Sequence, residues 1–116
     1  KPDHIENLFQ ERLLLREKGS GTREVLERYL DAKNLSVSDF VRVTEAGSLQ
    51  TIKELTKAGC GITFLYEVAV RDELESGMLK VIPLKDFRVS HEFTFIWRRG
   101  SIYADQYREV FRRFSA

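Results

Sequence analysis

The sequence predicts an α/β fold: a mainly parallel sheet flanked by helices. Three observations predict it. Short apolar runs alternate with helical patterns of about ten residues, the signature of crossover units. Gly61-Ile62-Thr63-Phe64-Leu65 is apolar almost without a break, as a strand buried on both faces of a parallel sheet requires. Glycines close two of the helical patterns, at Gly59 and Gly77, and strands follow directly.

Taken in order, Arg12-Leu13-Leu14-Leu15-Arg16 reads as a buried strand that ends in the loop Gly19-Ser20-Gly21. A helix is expected over about 22–33, with Val25, Leu26, Tyr29 and Leu30 on one stripe and Glu24, Glu27, Arg28 and Asp31 facing away. Asn34-Leu35-Ser36 ends it. Val41-Arg42-Val43-Thr44 alternates as a half-buried strand should. A second helix over about 48–57 opens on Ser48 and turns Ile52 and Leu55 inward, with Leu49 near its start. A third, about 68–75, stops at Ser76-Gly77, and Leu79-Lys80-Val81-Ile82 before Pro83 is a strand. Phe93, Phe95 and Trp97 alternate along a fifth strand, as core residues rather than a base-stacking platform. A last helix over about 104–114 sets Tyr107, Val110, Phe111 and Phe114 on one face.

With 116 residues, 42% hydrophobic and 32% charged, the chain is one soluble globular domain. A formal net charge of +1 gives no electrostatic case for nucleic-acid binding by these residues. No apolar run reaches the roughly 20 residues that span a bilayer, so no membrane contact is expected. The single Cys60 excludes an intrachain disulfide and a multi-thiolate metal site, and reads as a small buried hydrophobe in an intracellular protein. The start at Lys1, without methionine or signal pattern, suggests a fragment or a processed chain.

The candidate ligand site is the start of the Ser48 helix. An open helix start presents unpaired N–H groups and the positive end of the dipole, a receptor for a carboxylate or another small anion. Ser48 caps this helix, Gly47 lets a ligand approach, and Leu49 and Gln50 offer their backbone N–H groups. Gly19-Ser20-Gly21-Thr22 is a second such start. It lacks the Gly-Lys-Ser/Thr of a phosphate-binding loop, and Ser20 or Thr22 is either a plain cap or a ligand contact. Catalysis has little support. His4 and His91 belong to no visible nucleophile–base set, and pairs such as Glu27 with Arg28 or Glu109 with Arg113 read as solvated ion pairs. No catalytic residue, metal or cofactor is expected.

Three segments carry a family likeness. Residues 13–26, Leu-Leu-Leu-Arg-Glu-Lys-Gly-Ser-Gly-Thr-Arg-Glu-Val-Leu, resemble the strand, loop and helix of the effector-binding domain of LysR-type transcriptional regulators. Gly47 to Lys53 with Ala58 to Leu65 resembles that family's "AGxGI" helix-to-strand turn, and 69–79 resembles the segment after it. The likeness runs in order over about 11–115. It implies a type 2 periplasmic-binding-protein-like domain of two lobes with the effector between them. On this reading 1–116 is a partial effector-binding domain: about 11–88 forms the second lobe, and about 89–116 the return crossing and terminal helix of the first. The chain is then cytoplasmic, part of a dimer, and touches DNA only through an N-terminal helix-turn-helix outside it. Self-association is expected through the helix near 22–33 and the strand 41–44. Lys1-Pro2-Asp3-His4 resembles the lobe-crossing "PDHP" segment, but Ile5 follows at once. Tyr66 stands where the family often has proline or serine near the cleft, so Tyr66 joins Ser20, Thr22, Gly47, Ser48, Leu49 and Gln50 as an expected effector contact. The alternative is a solute-binding module of similar fold associated with transport.

Overall fold

A computed structural model describes residues 2–87 and 93–98. The strands are β1 (Arg12–Arg16), β2 (Arg42–Ala46), β3 (Ile62–Tyr66), β4 (Leu79–Ile82) and β5 (Phe93–Arg98). The helices are α1 (Gly21–Asp31), α2 (Leu49–Lys57) and α3 (Arg71–Ser76), with 3-10 turns at Ile5–Leu8, Val37–Asp39 and Glu67–Val70. The expected third helix is thus a 3-10 turn and a short helix in succession. Gly77, in the left-handed conformation at φ 81°, stops it as a glycine C-cap should. The first helix ends where Asn34 takes φ 59° and Leu35 N–H bonds Leu30 C=O at 2.8 Å. The expected terminal helix, with Glu109 and Arg113, lies outside the described residues, as does His91.

The five strands form one sheet in the order β2-β1-β3-β5-β4. β1 is parallel to both β2 and β3, whereas β5 runs antiparallel to both β3 and β4. Four of the five strands, β1 to β4, thus run the same way and β5 alone is reversed, so the mainly parallel sheet carries one antiparallel strand that the sequence did not indicate. Alternation along 93–97 shows only that successive side chains face opposite ways; direction depends on the connection that delivers the strand. β5 also lies inside the stretch assigned to the return crossing. It is paired on both sides, with β3 and with β4, so the sheet of the described residues includes it.

The chain moves one way across the sheet from β1 to β2 through α1, and the other way through α2 and α3. Connections of one hand then place α1 on one face and α2 and α3 on the other. The buried clusters agree. Leu26 and Leu30 of α1 pack with Ile5, Leu8, Leu13, Leu15, Phe64, Phe95 and Trp97. Ile52 of α2 packs with Leu14, Leu65, Val70 and Ile96. β3 is therefore covered on both faces, and its one polar residue, Thr63, donates to Leu14 C=O at 2.9 Å.

Three packing expectations change. Tyr29, placed on the inner stripe of α1, is exposed, while Arg23 of the same helix is buried. Val41 and Val43 are 58% and 42% exposed, Val43 on the edge strand β2 and Val41 just before it. Cys60 is half-buried rather than buried.

An ion-pair network ties α2 to α3. Lys53 Nζ lies 3.1 Å and Lys57 Nζ 3.4 Å from Glu73 Oε2. Burial pushes the Glu73 carboxyl up. The hydrogen bond from its own backbone N–H and the two lysines outweigh that and hold it below the usual glutamate value. Its stabilising contribution is therefore full above about pH 4.5, the unfolded value, and is lost as pH falls through the folded value. Denaturant titrations between pH 7 and pH 3 should show a steeper acid loss for the native chain than for Glu73→Gln. Equal slopes would mean that the bridge contributes nothing to pH dependence.

Candidate functional site

The parallel strands β1, β2 and β3 all end at one edge of the sheet. Arg16 is in register with Ala46, and Leu14 with Thr63, so the loops after Arg16, Ala46 and Tyr66 leave from the same edge. The chain turns outward in opposite directions after β1 and β3, which makes this edge a topological switch point. Ligands of open α/β sheets bind in the crevice at such carboxyl ends.

The α1 start and the α2 start both lie here. At α2, Thr51 N–H donates to Ser48 Oγ at 3.1 Å, and Ser48 Oγ–H donates to Thr51 Oγ1 at 2.8 Å. Ser48 is thus the expected cap. The first bond of the helix backbone is Ile52 N–H to Ser48 C=O, at 3.2 Å, so Leu49 and Gln50 keep open N–H groups. The Ser48 hydroxyl proton is committed to Thr51, which makes the exposed Thr51 hydroxyl the free donor at this end. No sequence pattern singled Thr51 out. The Gln50 side chain is drawn back along the helix by Glu54 Oε1 at 3.0 Å, so only its backbone faces the edge.

At α1, Ser20 occupies the N-cap position in extended backbone conformation, yet its side chain makes no capping bond. Glu24 N–H takes Ser20 C=O at 3.0 Å. The N–H groups of Gly21, Thr22 and Arg23, together with the Ser20 hydroxyl, remain for another acceptor. The plain-cap reading of Ser20 is not what the geometry shows. Thr22 is half-buried in the first turn.

The two starts are neighbours. A Cβ on Gly47 would lie 4.0 Å from Glu17 Oε2, so the loop after β1 reaches the turn after β2. Glu17 places a resident carboxylate at this edge. Its own backbone N–H and then Arg16, whose Nε is 3.0 Å from Glu17 Oε1, hold the carboxyl below the usual range. Tyr66 ends β3 with an exposed ring. Its centroid is 3.9 Å from that of Phe93, which stacks on Phe64 at 5.4 Å and 6°. The edge therefore combines open N–H donors, hydroxyls, one compensated carboxylate and an aromatic wall. That set can hold and orient a small polar molecule. His4 is paired with Asp3 at 2.7 Å.

Residues 1–114 match the family model described as the LysR substrate binding domain. The chain belongs to this family. The LysR domain is 32% identical over 109 residues to the HTH-type transcriptional regulator CbbR of Rhizobium meliloti, which covers 94% of this chain and 34% of that protein. It is 29% identical over 85 residues to the uncharacterized HTH-type transcriptional regulator MJ0300 of Methanocaldococcus jannaschii, covering 73% of this chain and 29% of that one. It is also 30% identical over 87 residues to the phosphonates import ATP-binding protein PhnC of Anaeromyxobacter dehalogenans, covering 75% of this chain and 18% of PhnC. The LysR domain thus spans between 18% and 34% of the length of these relatives. Among the described residues, no helix is long and apolar enough to cross a membrane.

Proposed function

We propose that the LysR domain is the effector-sensing portion of a transcriptional regulator. It binds a small anionic metabolite in a cleft between two lobes and so modulates DNA binding by a helix-turn-helix domain outside this chain. The observation that carries this reading is the meeting of two open helix starts, at Ser20–Gly21 and Ser48–Leu49, on one edge of the sheet. Ser20, Thr22, Gly47, Ser48, Leu49, Gln50 and Tyr66 are the effector contacts, and Thr51 joins them. The domain performs no reaction. The lobe is of the type 2 periplasmic-binding-protein-like kind and works in the cytoplasm; about 11–88 forms it, and about 89–116 supplies the return crossing and terminal helix of the other lobe. An effector shifts such a regulator only by its difference in affinity for the two states.

The regulator acts as a dimer on this reading. Leu13, which packs under α1, is in register with Val43, so Val43 faces the α1 side of the sheet. Val43, Val41 and Tyr29 are all exposed there, and a second subunit covers them.

The transport-associated reading draws on the PhnC match. A helix-turn-helix encoded before Lys1 supports the regulator; a secretion signal in that place supports the solute-binding module.

The test uses the full-length protein. Small carboxylates and phosphate esters are screened by thermal shift, and the best hit is measured by calorimetry. Ser48→Ala combined with Gly47→Val should weaken binding about tenfold or more, by loss of the cap that orients Thr51 at the helix start and by obstruction beside Glu17. Gly47 has no positive φ, so valine there adds bulk without backbone strain. Unchanged affinity removes the Ser48 helix start from the pocket. Sedimentation of Val43→Lys reads the dimer, and undiminished association removes that face from it.

A further inference from the structure

Arg23 is the most buried charged side chain at this edge, and its two shorter bonds go beyond its own helix. Its Nη1 donates to Arg16 C=O at 2.9 Å and to Glu45 Oε2 at 3.1 Å, while Nε donates to Glu27 Oε2 at 3.4 Å. The side chain is 7% exposed. These partners lie on three elements. Arg16 is the last residue of β1, directly before the loop 17–20. Glu45 sits on β2, two residues before Gly47. Glu27 lies one turn along α1. One guanidinium thus grips the root of each loop that opens a helix at the candidate site.

We infer that Arg23 is the positioning residue of this site: it sets the spacing between the α1 start and the α2 start by clamping Arg16 C=O and Glu45 together. The inference rests on the proposed effector site. Nη1 donates one proton to Arg16 C=O and the other to Glu45, while Nε is held at Glu27, so the rigid guanidinium plane fixes the direction of the clamp, which a rotating lysine ammonium on a flexible stem does not. Without the clamp the ends of β1 and β2 remain paired through their backbones, but the loops beyond them move separately. The donors of Gly21 and Thr22 then no longer stand at a constant distance from those of Leu49 and Gln50.

Glu45→Gln tests this cleanly. Glu45 is 55% exposed at its side chain, so its loss as a surface ion should cost little stability. On the 116-residue chain we expect a melting temperature within about 2 °C of the native value. Backbone amide exchange, however, should rise about tenfold in both 17–22 and 46–50. Glu27→Gln, which removes only the partner on α1, should change neither loop. Arg23→Lys, which keeps the charge and loses the fork, should behave as Glu45→Gln does. Exchange that rises only beside the substituted residue, or equally in Glu27→Gln, overturns the inference.

Titration of the native chain with inorganic phosphate and with succinate, followed by amide chemical shifts, reads the site itself. If Gly21, Thr22, Leu49 and Gln50 shift, Glu45→Gln should weaken that binding about tenfold at unchanged melting temperature. Undiminished binding overturns the positioning role. If neither anion shifts these amides in the native chain, the site reading fails, and the exchange measurements still decide the role of Arg23.

Discussion

Phe95→Ala is expected to destabilise the domain by about 3–5 kcal/mol, the usual cost of deleting a buried phenylalanine ring. Phe95 is 2% exposed at the centre of β5. Its ring meets those of Phe40 at 6.5 Å, Phe64 at 5.1 Å and Phe87 at 5.8 Å. Phe64 lies on the neighbouring strand, Phe40 on the chain leading to β2, and Phe87 beyond β4. The cavity would therefore open among four segments that cannot all collapse into it. A domain holding roughly 5–15 kcal/mol in total would lose much of its reserve. Urea denaturation followed by circular dichroism measures the change. Phe93→Ala, at a half-buried position on the same strand, should cost clearly less. A loss below about 1 kcal/mol for Phe95→Ala would mean that β5 does not pack in this sheet.

Gly61→Ala is the second large effect, and its cause is backbone rather than side chain. A Cβ on Gly61 would lie 2.6 Å from Arg12 C=O oxygen and 3.1 Å from Leu14 Cγ. The carbonyl belongs to β1, whose pairing with β3 begins at Leu13 and Ile62. A methyl group there must push the two central parallel strands apart. The expected cost is about 1–3 kcal/mol, and the melting temperature should fall by roughly 5–15 °C. Gly21→Ala is the control: it lies in the first turn of α1, has no positive φ and meets nothing within 4 Å of the added carbon. It should be neutral or slightly stabilising. Equal melting temperatures for both variants would show that β1 and β3 do not approach this closely.

Part of the candidate site was legible in the chain itself. Ser48 reads as a cap because a serine before a helical pattern satisfies an orphan N–H within three residues, and it does so here. Gly47 and the open donors of Leu49 and Gln50 follow from the same local rule. The Ser20 cap failed on that rule, since the serine stands in the right place but makes no capping bond. Arg23 was illegible. On a helix it resembles any solvated arginine, and its partner Glu45 is 22 residues away. Thr51 was hidden for another reason: hydroxyl networks depend on rotamers, which residue types do not state.

The sequence by itself determined the order of the described strands and of α1 and α2 among them, the two apolar faces of β3, the Ser48 cap and the glycine stops at Gly59 and Gly77. These rest on spacings of two to four residues, where backbone hydrogen bonding and side-chain periodicity act directly. Only the tertiary structure decided that β5 enters between β3 and β4 in reverse, that Val41 and Val43 stay uncovered, that Gly61 must lack a side chain, and that Arg23 joins two loop roots. Each of these depends on which distant segment lies alongside, and local pattern carries no information on that.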